Sequence, residues 1–288
     1  MNKPICEIEG GQFLFLLPTF RVIRTKKAPL VGFPFMKLRI LAGIAVLIGS
    51  VDWCHSNPES GPPRPNIVII FTDDQGYGDL GSYGLTTAKT PHLDRMAEEG
   101  TRFTSFYTQP VCGPARSALL TGRYPERSKG WQMPAHEVTF AELMQEVGYA
   151  TACIGKWDVS HRKPILDRMP LAQGFDYYWG PLGANDGGRV VLYENNELIG
   201  PDPDLASLSR RYTDQSIEWI KTHVPENEER GTKDEEPFLL YLCHTMMHTV
   251  IDASPEFRDR TGNGLYADTL EELDHECGRL LTALDELG

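Results

Sequence analysis

Cys112 lies in a short segment whose residue types suit anion chemistry. Gly113 and Pro114 follow it directly, and Arg116 comes one helical turn later. We expect Cys112 at the start of a helix, where free backbone N–H groups and the helix dipole attract an anion and Arg116 adds a fixed positive charge. These residues alone leave three roles open: a thiol nucleophile of low pKa, a redox-active cysteine or a structural cysteine.

Two carboxylates, Asp73 and Asp74, directly follow an apolar, β-branched run at residues 66–72. A continuous run of this kind predicts a strand buried on both faces in a parallel sheet. Ligands of open α/β sheets bind beyond the carboxyl ends of the strands, and adjacent carboxylates there suit a hard divalent cation. The alternative is a solvated Asx turn that ends the strand.

Lys156 and His248 also follow apolar, strand-like runs, at residues 150–154 and 238–243. Without further context, Lys156 is best interpreted as a surface lysine after a strand and His248 as a structural histidine.

The composition is that of a globular protein without a nucleic-acid partner. The chain has 288 residues, 41% of them hydrophobic, and a formal net charge of −12. That length is enough for one sizeable core. Binding to nucleic-acid phosphates needs a basic face, which this sequence does not show. Small anionic substrates stay open, because a local site can be positive inside an acidic protein.

The N-terminal residues predict targeting. A basic stretch at 36–39 precedes an apolar stretch at 40–51, which is shorter than the roughly 20 residues of a membrane span and suits a signal peptide. We expect a misassigned start or disordered extension at 1–35, a signal peptide at 36–53, a linker at 54–64 and export to the periplasm or the exterior. Lipidation at Cys54 is less favoured, because Trp53 stands where a small residue is expected.

The six cysteines do not predict a disulfide framework. Cys6 and Cys54 lie in or near the segment that we expect to be removed. Cys153, Cys243 and Cys277 lie in apolar patterns, where a free cysteine behaves as a small hydrophobe.

Strands and helices alternate along the chain, which predicts an α/β fold with a mostly parallel sheet sandwiched between helices. Extended segments are predicted at 66–72, 102–107, 150–154 and 238–243, and a hairpin at 193–198 with Asn195 and Asn196 at its turn. Helices are predicted at 90–100, 139–147, 212–223 and 266–288. The last helix has one apolar face, formed by Tyr266, Leu270, Leu273, Cys277, Leu280, Leu281, Leu284 and Leu287.

Several separate motifs resemble the type I, formylglycine-dependent sulfatase family of the alkaline phosphatase-like superfamily. They are the 66–79 segment with its Asp pair, Thr-Pro-His-Leu-Asp at 90–94, Cys-x-Pro-x-Arg at 112–116 and Leu-Thr-Gly-Arg at 120–123. The resemblance runs from about residue 64 to 288. In this family a dedicated maturation enzyme oxidises the cysteine of Cys-x-Pro-x-Arg to formylglycine. Position 115 is Ala where many members have Ser.

The resemblance implies a role for each matching residue. Asp73 and Asp74 match ligands of calcium, with magnesium as the alternative ion, and modified Cys112 would both ligate the metal and attack sulfur. Arg116 matches the arginine that holds the formylglycine. Lys156 matches a lysine that contacts the sulfate.

The implied activity is that of a sulfuric ester hydrolase, arylsulfatase-like, acting on a sulfated small molecule or glycan. His248 matches a substrate-contacting histidine that protonates the leaving alcohol, although Met247 stands where a proline is common. The hydrated aldehyde at Cys112 would attack sulfur with one hydroxyl and expel sulfate with the other.

Two features depart from the family pattern. Asp158 stands where the family has a second sulfate-contacting histidine. Such an Asp must point away, bind a cation or recognise a different substrate, and nearby His161 is a candidate substitute. The strand ending in Asp-Asn or Asp-His that completes the family's calcium site, and the smaller C-terminal domain, do not follow the last helix. We therefore expect residues 65–288 to be an incomplete catalytic domain.

Two alternative functions stay open. A phosphate or phosphonate ester hydrolase of the same superfamily would share the metal-binding strand. A truncated, non-catalytic remnant that binds glycans would explain both Asp158 and the missing continuation.

Overall fold

A computed structural model describes residues 64–223 and 237–287. The predicted signal peptide, Cys6, Cys54 and nearly all of the predicted linker lie outside the described residues. None of the helices in the two described ranges is long and apolar enough to cross a membrane.

A six-stranded sheet forms the centre of the described fold. Its strands are β1 (Ile67–Phe71), β2 (Ala150–Gly155), β3 (Tyr177–Pro181), β4 (Val190–Glu194), β5 (Glu197–Asp202) and β6 (Phe238–Cys243). Their order across the sheet is β1-β6-β2-β3-β4-β5. The first four strands of that order are parallel, and β4 and β5 are antiparallel. The predicted α/β class with a mostly parallel sheet is confirmed.

Helices cover both faces of this sheet. They are α1 (Pro91–Glu99), α2 (Cys112–Thr121), α3 (Pro125–Ser128), α4 (Phe140–Glu146), α5 (Leu208–Lys221) and α6 (Leu265–Leu287). Every residue of β2 and β6 is buried, because the side chains of a strand alternate between two covered faces. Leu240 packs in the layer that contains α1, α5 and α6, whereas its neighbour Tyr241 packs with α2 and α4.

Local sequence signals place most of these elements. Thr139 and Glu142 form a capping box at the start of α4, in which each side chain accepts a hydrogen bond from the backbone N–H of the other. The hairpin between β4 and β5 turns at Asn195 and Asn196, and Asn195 adopts a φ of 55°. Asparagine tolerates this left-handed conformation better than most residues. The helix predicted at 139–147 and the hairpin predicted at 193–198 are both confirmed.

Four details of the sequence prediction are wrong. The segment 102–107 forms no strand, since it is largely exposed and pairs with no strand of the described sheet. Helix α5 begins at Leu208 and not at Tyr212, because Leu208 and Ser209 are already buried. Strand β3 was not predicted, and its Gly180 lies so close to β2 that a Cβ would stand 2.2 Å from the Gly155 carbonyl oxygen. Tyr266, predicted on the apolar face of the last helix, is 40% exposed, and its hydroxyl donates to Asp79 Oδ2 at 2.5 Å.

Candidate functional site

The carboxyl ends of β1, β6 and β2 lie side by side and lead into the segments that carry the predicted site. The backbone N–H of Met247 donates to the Asp73 carbonyl at 2.6 Å, and that of Lys156 donates to the Cys243 carbonyl at 2.9 Å. At Gly155 (φ 105°) a Cβ would stand 1.9 Å from the Cys243 carbonyl oxygen, so only glycine permits this close approach. The candidate site therefore lies where the strand order predicts it.

Cys112 is the first residue of α2, as the sequence predicts, and only 8% of it is exposed. Gly113 lets the helix start pack against an indole ring, since a Cβ there would stand 2.1 Å from Trp131 Cδ1. Burial raises the pKa of the Cys112 thiol; the Lys156 charge opposes this effect, and Asp158 reinforces it. A buried thiol with a raised pKa does not suit a thiolate nucleophile or a redox-active cysteine.

Three buried charged side chains lie next to Cys112. Lys156 Nζ forms an ion pair with Asp73 Oδ2, and Arg116 Nη2 stands 3.7 Å from Asp73 Oδ1. None of these side chains is more than 2% exposed. Arg116 also donates to the Lys156 carbonyl at 2.7 Å and stacks over the Phe71 ring at 4.9 Å. Burial would lower the pKa of Arg116, but the Asp73 carboxylate and several weaker influences together outweigh it and the pKa is raised, so the guanidinium stays charged.

The Arg116 guanidinium retains hydrogen-bonding capacity. Its Nε and Nη2 atoms are buried without a hydrogen-bond acceptor among the described residues. Buried donors are usually paired, so unpaired ones require an explanation. An oxyanion bound beside Cys112 would supply the missing acceptors.

Asp158 faces the site and pairs with cationic side chains, so it does not point away from the site. It is fully buried with a φ of 59°. Its Oδ2 accepts from Trp131 Nε1 at 3.1 Å and stands 3.8 Å from Lys156 Nζ. Burial would raise the pKa of Asp158, but Lys156, Cys112, Arg116 and Arg162 together lower it, so the carboxylate is ionised.

Arg162, which sequence reasoning missed, reaches Cys112 from the same loop. Its Nε donates to Asp158 Oδ1 at 2.7 Å, its Nη1 to Asp186 Oδ2 at 2.6 Å, and its Nη2 stands 3.9 Å from Cys112 Sγ. His161, the candidate substitute for the missing histidine, is exposed, and no described contact joins its side chain to Cys112. The left-handed turn at 161–162, with φ angles of 58° and 55°, has no sequence signal that would have revealed it.

His248 is oriented by a buried asparagine that the sequence did not single out. Its Nδ1 lies 2.9 Å from Asn185 Oδ1 and 2.6 Å from the Thr249 carbonyl, so this nitrogen is the donor. Asn185 Nδ2 in turn donates to the His248 and Val250 carbonyls. His248 Nε2 consequently points the other way, 3.9 Å from Asp74 Oδ2 and 3.6 Å from Asp186 Oδ1.

The described residues do not complete a calcium site. They contain no group of three or more His, Cys, Asp and Glu side chains placed to hold a metal ion. Asp73 has Lys156 and Arg116 as its partners, and the Asp74 side chain is 58% exposed. Calcium takes six to eight oxygen ligands. The assignment of Asp73, Asp74 and Cys112 as metal ligands therefore stays a prediction.

Known proteins match the chain over this region. The family model described as Sulfatase matches residues 65–288. Arylsulfatase G of Rattus norvegicus is 31% identical over 301 residues, covering 89% of this chain and 55% of that protein. N-acetylgalactosamine-6-sulfatase of the same species is 32% identical over 261 residues, covering 79% of this chain and 48% of that protein. The chain thus spans about half the length of the curated relatives that it matches.

A solved structure from Bacteroides thetaiotaomicron, connected with the metabolism of multiple glycosaminoglycans, shares the fold. It aligns with a TM-score of 0.68 at 26% identity and covers 78% of this chain and 60% of that chain. The matched family region includes every described strand, the Cys112 helix and the loops at the carboxyl ends of the strands. The chain therefore belongs to the sulfatase family.

Proposed function

We propose that this chain carries the sulfuryl-binding centre of a sulfuric ester hydrolase, in which Cys112 is converted to formylglycine and serves as the nucleophile. The observation that carries the proposal is the position of Cys112 at the start of α2, one helical turn before the buried Arg116 and within electrostatic reach of the buried Lys156. A protonated, buried thiol is a poor nucleophile. An oxygen-bearing, oxidised side chain at the same position could instead accept hydrogen bonds or charge stabilisation from Arg116 and Lys156.

Formylglycine would supply, once hydrated, one hydroxyl group to attack sulfur and a second to release sulfate. The overall reaction consumes one water and yields an alcohol, sulfate and a proton. The N-terminal N–H groups of α2 and the Arg116 donors would hold the side chain of residue 112. Because Arg116 and Lys156 are fully buried, their charges act in a low local dielectric on the oxygens of the sulfuryl group.

His248 is the proposed proton donor to the leaving alcohol. Since Asn185 Oδ1 and the Thr249 carbonyl occupy Nδ1, Nε2 is the nitrogen free to exchange a proton with substrate. Its side chain is 12% exposed and stands at the edge of the site beside Asp74 and Asp186, where a leaving group can depart to solvent. General acid catalysis requires such a donor within hydrogen-bond reach of the leaving oxygen.

Asp73 and Asp74 are the proposed metal-binding carboxylates. The described residues alone do not fit calcium, because Asp73 already pairs with two cations. Binding of a metal would require Asp73 to exchange Lys156 for the ion and would require further oxygen ligands. No step of the reaction is therefore assigned to a metal.

The proposed substrate is a sulfated sugar or aryl sulfate. The names of two relatives, N-acetylgalactosamine-6-sulfatase and arylsulfatase G, support both classes. We propose further that a formylglycine-generating enzyme modifies the chain and that it is exported by the signal peptide at 36–53.

The test is expression of the chain together with a formylglycine-generating enzyme, followed by trapping of an aldehyde at residue 112 with an aminooxy probe and by assays with matched aryl sulfate and aryl phosphate esters. We expect an aldehyde on this chain, and sulfate ester turnover by a longer form that also carries the rest of the metal site, both lost in Cys112→Ser. Cys277→Ala is the matched control, since Cys277 is also buried but lies on α6.

The alternatives predict different results in the same assays. Faster hydrolysis of the aryl phosphate would indicate the phosphate ester hydrolase. Binding of a sulfated sugar without metal-dependent hydrolysis by any longer form would indicate the non-catalytic remnant.

A further inference from the structure

Arg162 presents one free edge of its guanidinium to the candidate nucleophile. Two carboxylates take the other positions: Asp158 accepts from Nε at 2.7 Å and Asp186 from Nη1 at 2.6 Å. The remaining nitrogen, Nη2, stands 3.9 Å from Cys112 Sγ. An arginine has five N–H donors in a rigid planar fork, so fixing two nitrogens also fixes where the third one points.

The two carboxylates differ in burial, and each contributes differently to this arrangement. Asp158 is fully buried and anchored by Trp131 Nε1, whereas the Asp186 side chain is 57% exposed. Asp158 thus serves as the rigid support and Asp186 as the outer clamp. The Arg162 side chain is 38% exposed, so its charged edge lies at the boundary between the buried site and solvent, where a substrate would enter.

Binding of an anion at this site also requires a third cation. Asp158 brings a buried negative charge next to Cys112, and this charge would repel an incoming sulfate. Arg162 neutralises it directly. Without Arg162, the two buried cations Lys156 and Arg116 would only balance the two buried carboxylates, Asp73 and Asp158. Arg162 adds a third cation, and the Asp186 carboxylate that it also binds is 57% exposed, so solvent screens that negative charge.

We propose that Arg162 is a sulfate-contacting residue of this site, held in place by the positioning residues Asp158 and Asp186. The proposal rests on the proposed function, because it assumes that the sulfuryl group binds beside residue 112. In this arrangement the anion meets the Asp158–Arg162 ion pair, whose Nη2 group faces residue 112. The Nη2 group is left to donate a charge-assisted hydrogen bond to a sulfuryl oxygen.

The experiment is calorimetric titration of the purified chain with inorganic sulfate at constant ionic strength, with chloride as the competing background anion. We expect Arg162→Gln to weaken sulfate binding by about tenfold or more, since a charge-assisted hydrogen bond contributes about 1.5–3 kcal/mol and each 1.4 kcal/mol is a factor of ten. Arg162→Lys should bind sulfate more weakly than the unaltered chain but more tightly than Arg162→Gln. A lysine ammonium keeps the charge, but it cannot bridge both carboxylates and still reach residue 112.

Arg279→Gln is the matched control. Arg279 also bridges two carboxylates, Asp214 at 2.6 Å and Glu276 at 2.7 Å, with a side chain that is 35% exposed. It should leave sulfate affinity unchanged, and circular dichroism with thermal melting should show that all three variants remain folded.

Two outcomes would overturn the proposal: no measurable sulfate binding by the unaltered chain, or an affinity in Arg162→Gln that equals that of Arg279→Gln. If Arg162→Gln does not fold, the comparison of Arg162→Lys with the unaltered chain decides, and equal affinities reject the proposal. Failure of the proposed function is seen separately: sulfate binding would still depend on Arg162, but residue 112 would carry no aldehyde after expression with the formylglycine-generating enzyme.

Discussion

The buried aspartates of the described residues lie in two regions, and their partners differ. In the candidate site, Asp73 and Asp158 face charged side chains, namely Lys156, Arg116 and Arg162. On α6, Asp268 accepts from the backbone N–H groups of 259 and 261, and Asp274 accepts from those of 92 and 93 in the first turn of α1.

The difference separates scaffold from site. Backbone amides satisfy Asp268 and Asp274, so these two acids tie loops and the start of α1 to the helix. The site carboxylates instead hold cations in place, and Arg116 keeps two buried donors without an acceptor among the described residues. Carboxylates of the first kind stabilise the fold, whereas those of the second kind create a charged centre with capacity left for a ligand.

The largest effect is expected at Lys156. Lys156→Met removes the ammonium that pairs with Asp73 in a fully buried position, and breaking one side of a buried ion pair costs about 3–5 kcal/mol. Urea unfolding should show this loss, and sulfate titration should show no binding. The double variant Asp73→Asn with Lys156→Met should regain part of the stability but not the sulfate binding. A loss below about 1 kcal/mol in the single variant would contradict the buried pair.

His244 should make the chain less stable in acid. It is fully buried, its two imidazole nitrogens have no hydrogen-bond partner among the described residues, and burial lowers its pKa from 6.5 to about 3. The unfolded state therefore binds a proton that the folded state refuses, so stability falls as the pH drops from about 6.5 towards 3, by up to about 1.4 kcal/mol per pH unit. Urea unfolding of His244→Gln at several pH values should show a flatter profile than the unaltered chain. Identical profiles would show that His244 is not buried as described.

Packing at the start of α2 should be intolerant of a methyl group. Gly113→Ala would place a Cβ 2.1 Å from Trp131 Cδ1, and overpacking of this kind costs about 1–3 kcal/mol. Because Trp131 also donates to Asp158, sulfate binding should weaken as well. Gly187→Ala is the control, since nothing stands within 4 Å of the position that its added methyl group would take. Equal melting temperatures for the two variants would contradict the close contact.

Asp274 should change the pH dependence of stability in the opposite direction to His244, and by less. Burial raises its pKa from 3.8 to about 6, against the backbone N–H groups of 93 and 92 that lower it. The folded state thus favours the protonated carboxyl, so this contribution to stability is full below about 3.8 and is lost as the pH rises through about 6. Asp274→Asn should remove that dependence, worth about 1 kcal/mol or more across the window, without changing sulfate affinity. A change in sulfate affinity would show that the α6 carboxylates are not purely structural.

Much of this architecture is readable from local sequence patterns. The apolar runs of β1, β2 and β6, the capping box of α4 and the hairpin turn at Asn195 each depend on a few neighbouring residues, and the elements that they form were predicted. The prediction of an extended segment at 102–107 is wrong because apolar and aromatic residues alone do not supply a strand to pair with. Strand β3 was missed because its Gly180 and Pro181 argue against a strand, although the close approach to Gly155 requires the glycine.

The sequence by itself determined the residues of the candidate site that follow from local order: the Asp pair after β1, Cys112 at a helix start, Arg116 one turn later and Lys156 after β2. Tertiary structure decided the partners. The Asp158–Arg162–Asp186 bridge and the orientation of His248 by Asn185 join segments separated by as many as 63 residues. Their geometry depends on left-handed turns and on burial, which no local pattern encodes, because a side chain's partners are set by where the folded backbone brings distant segments together.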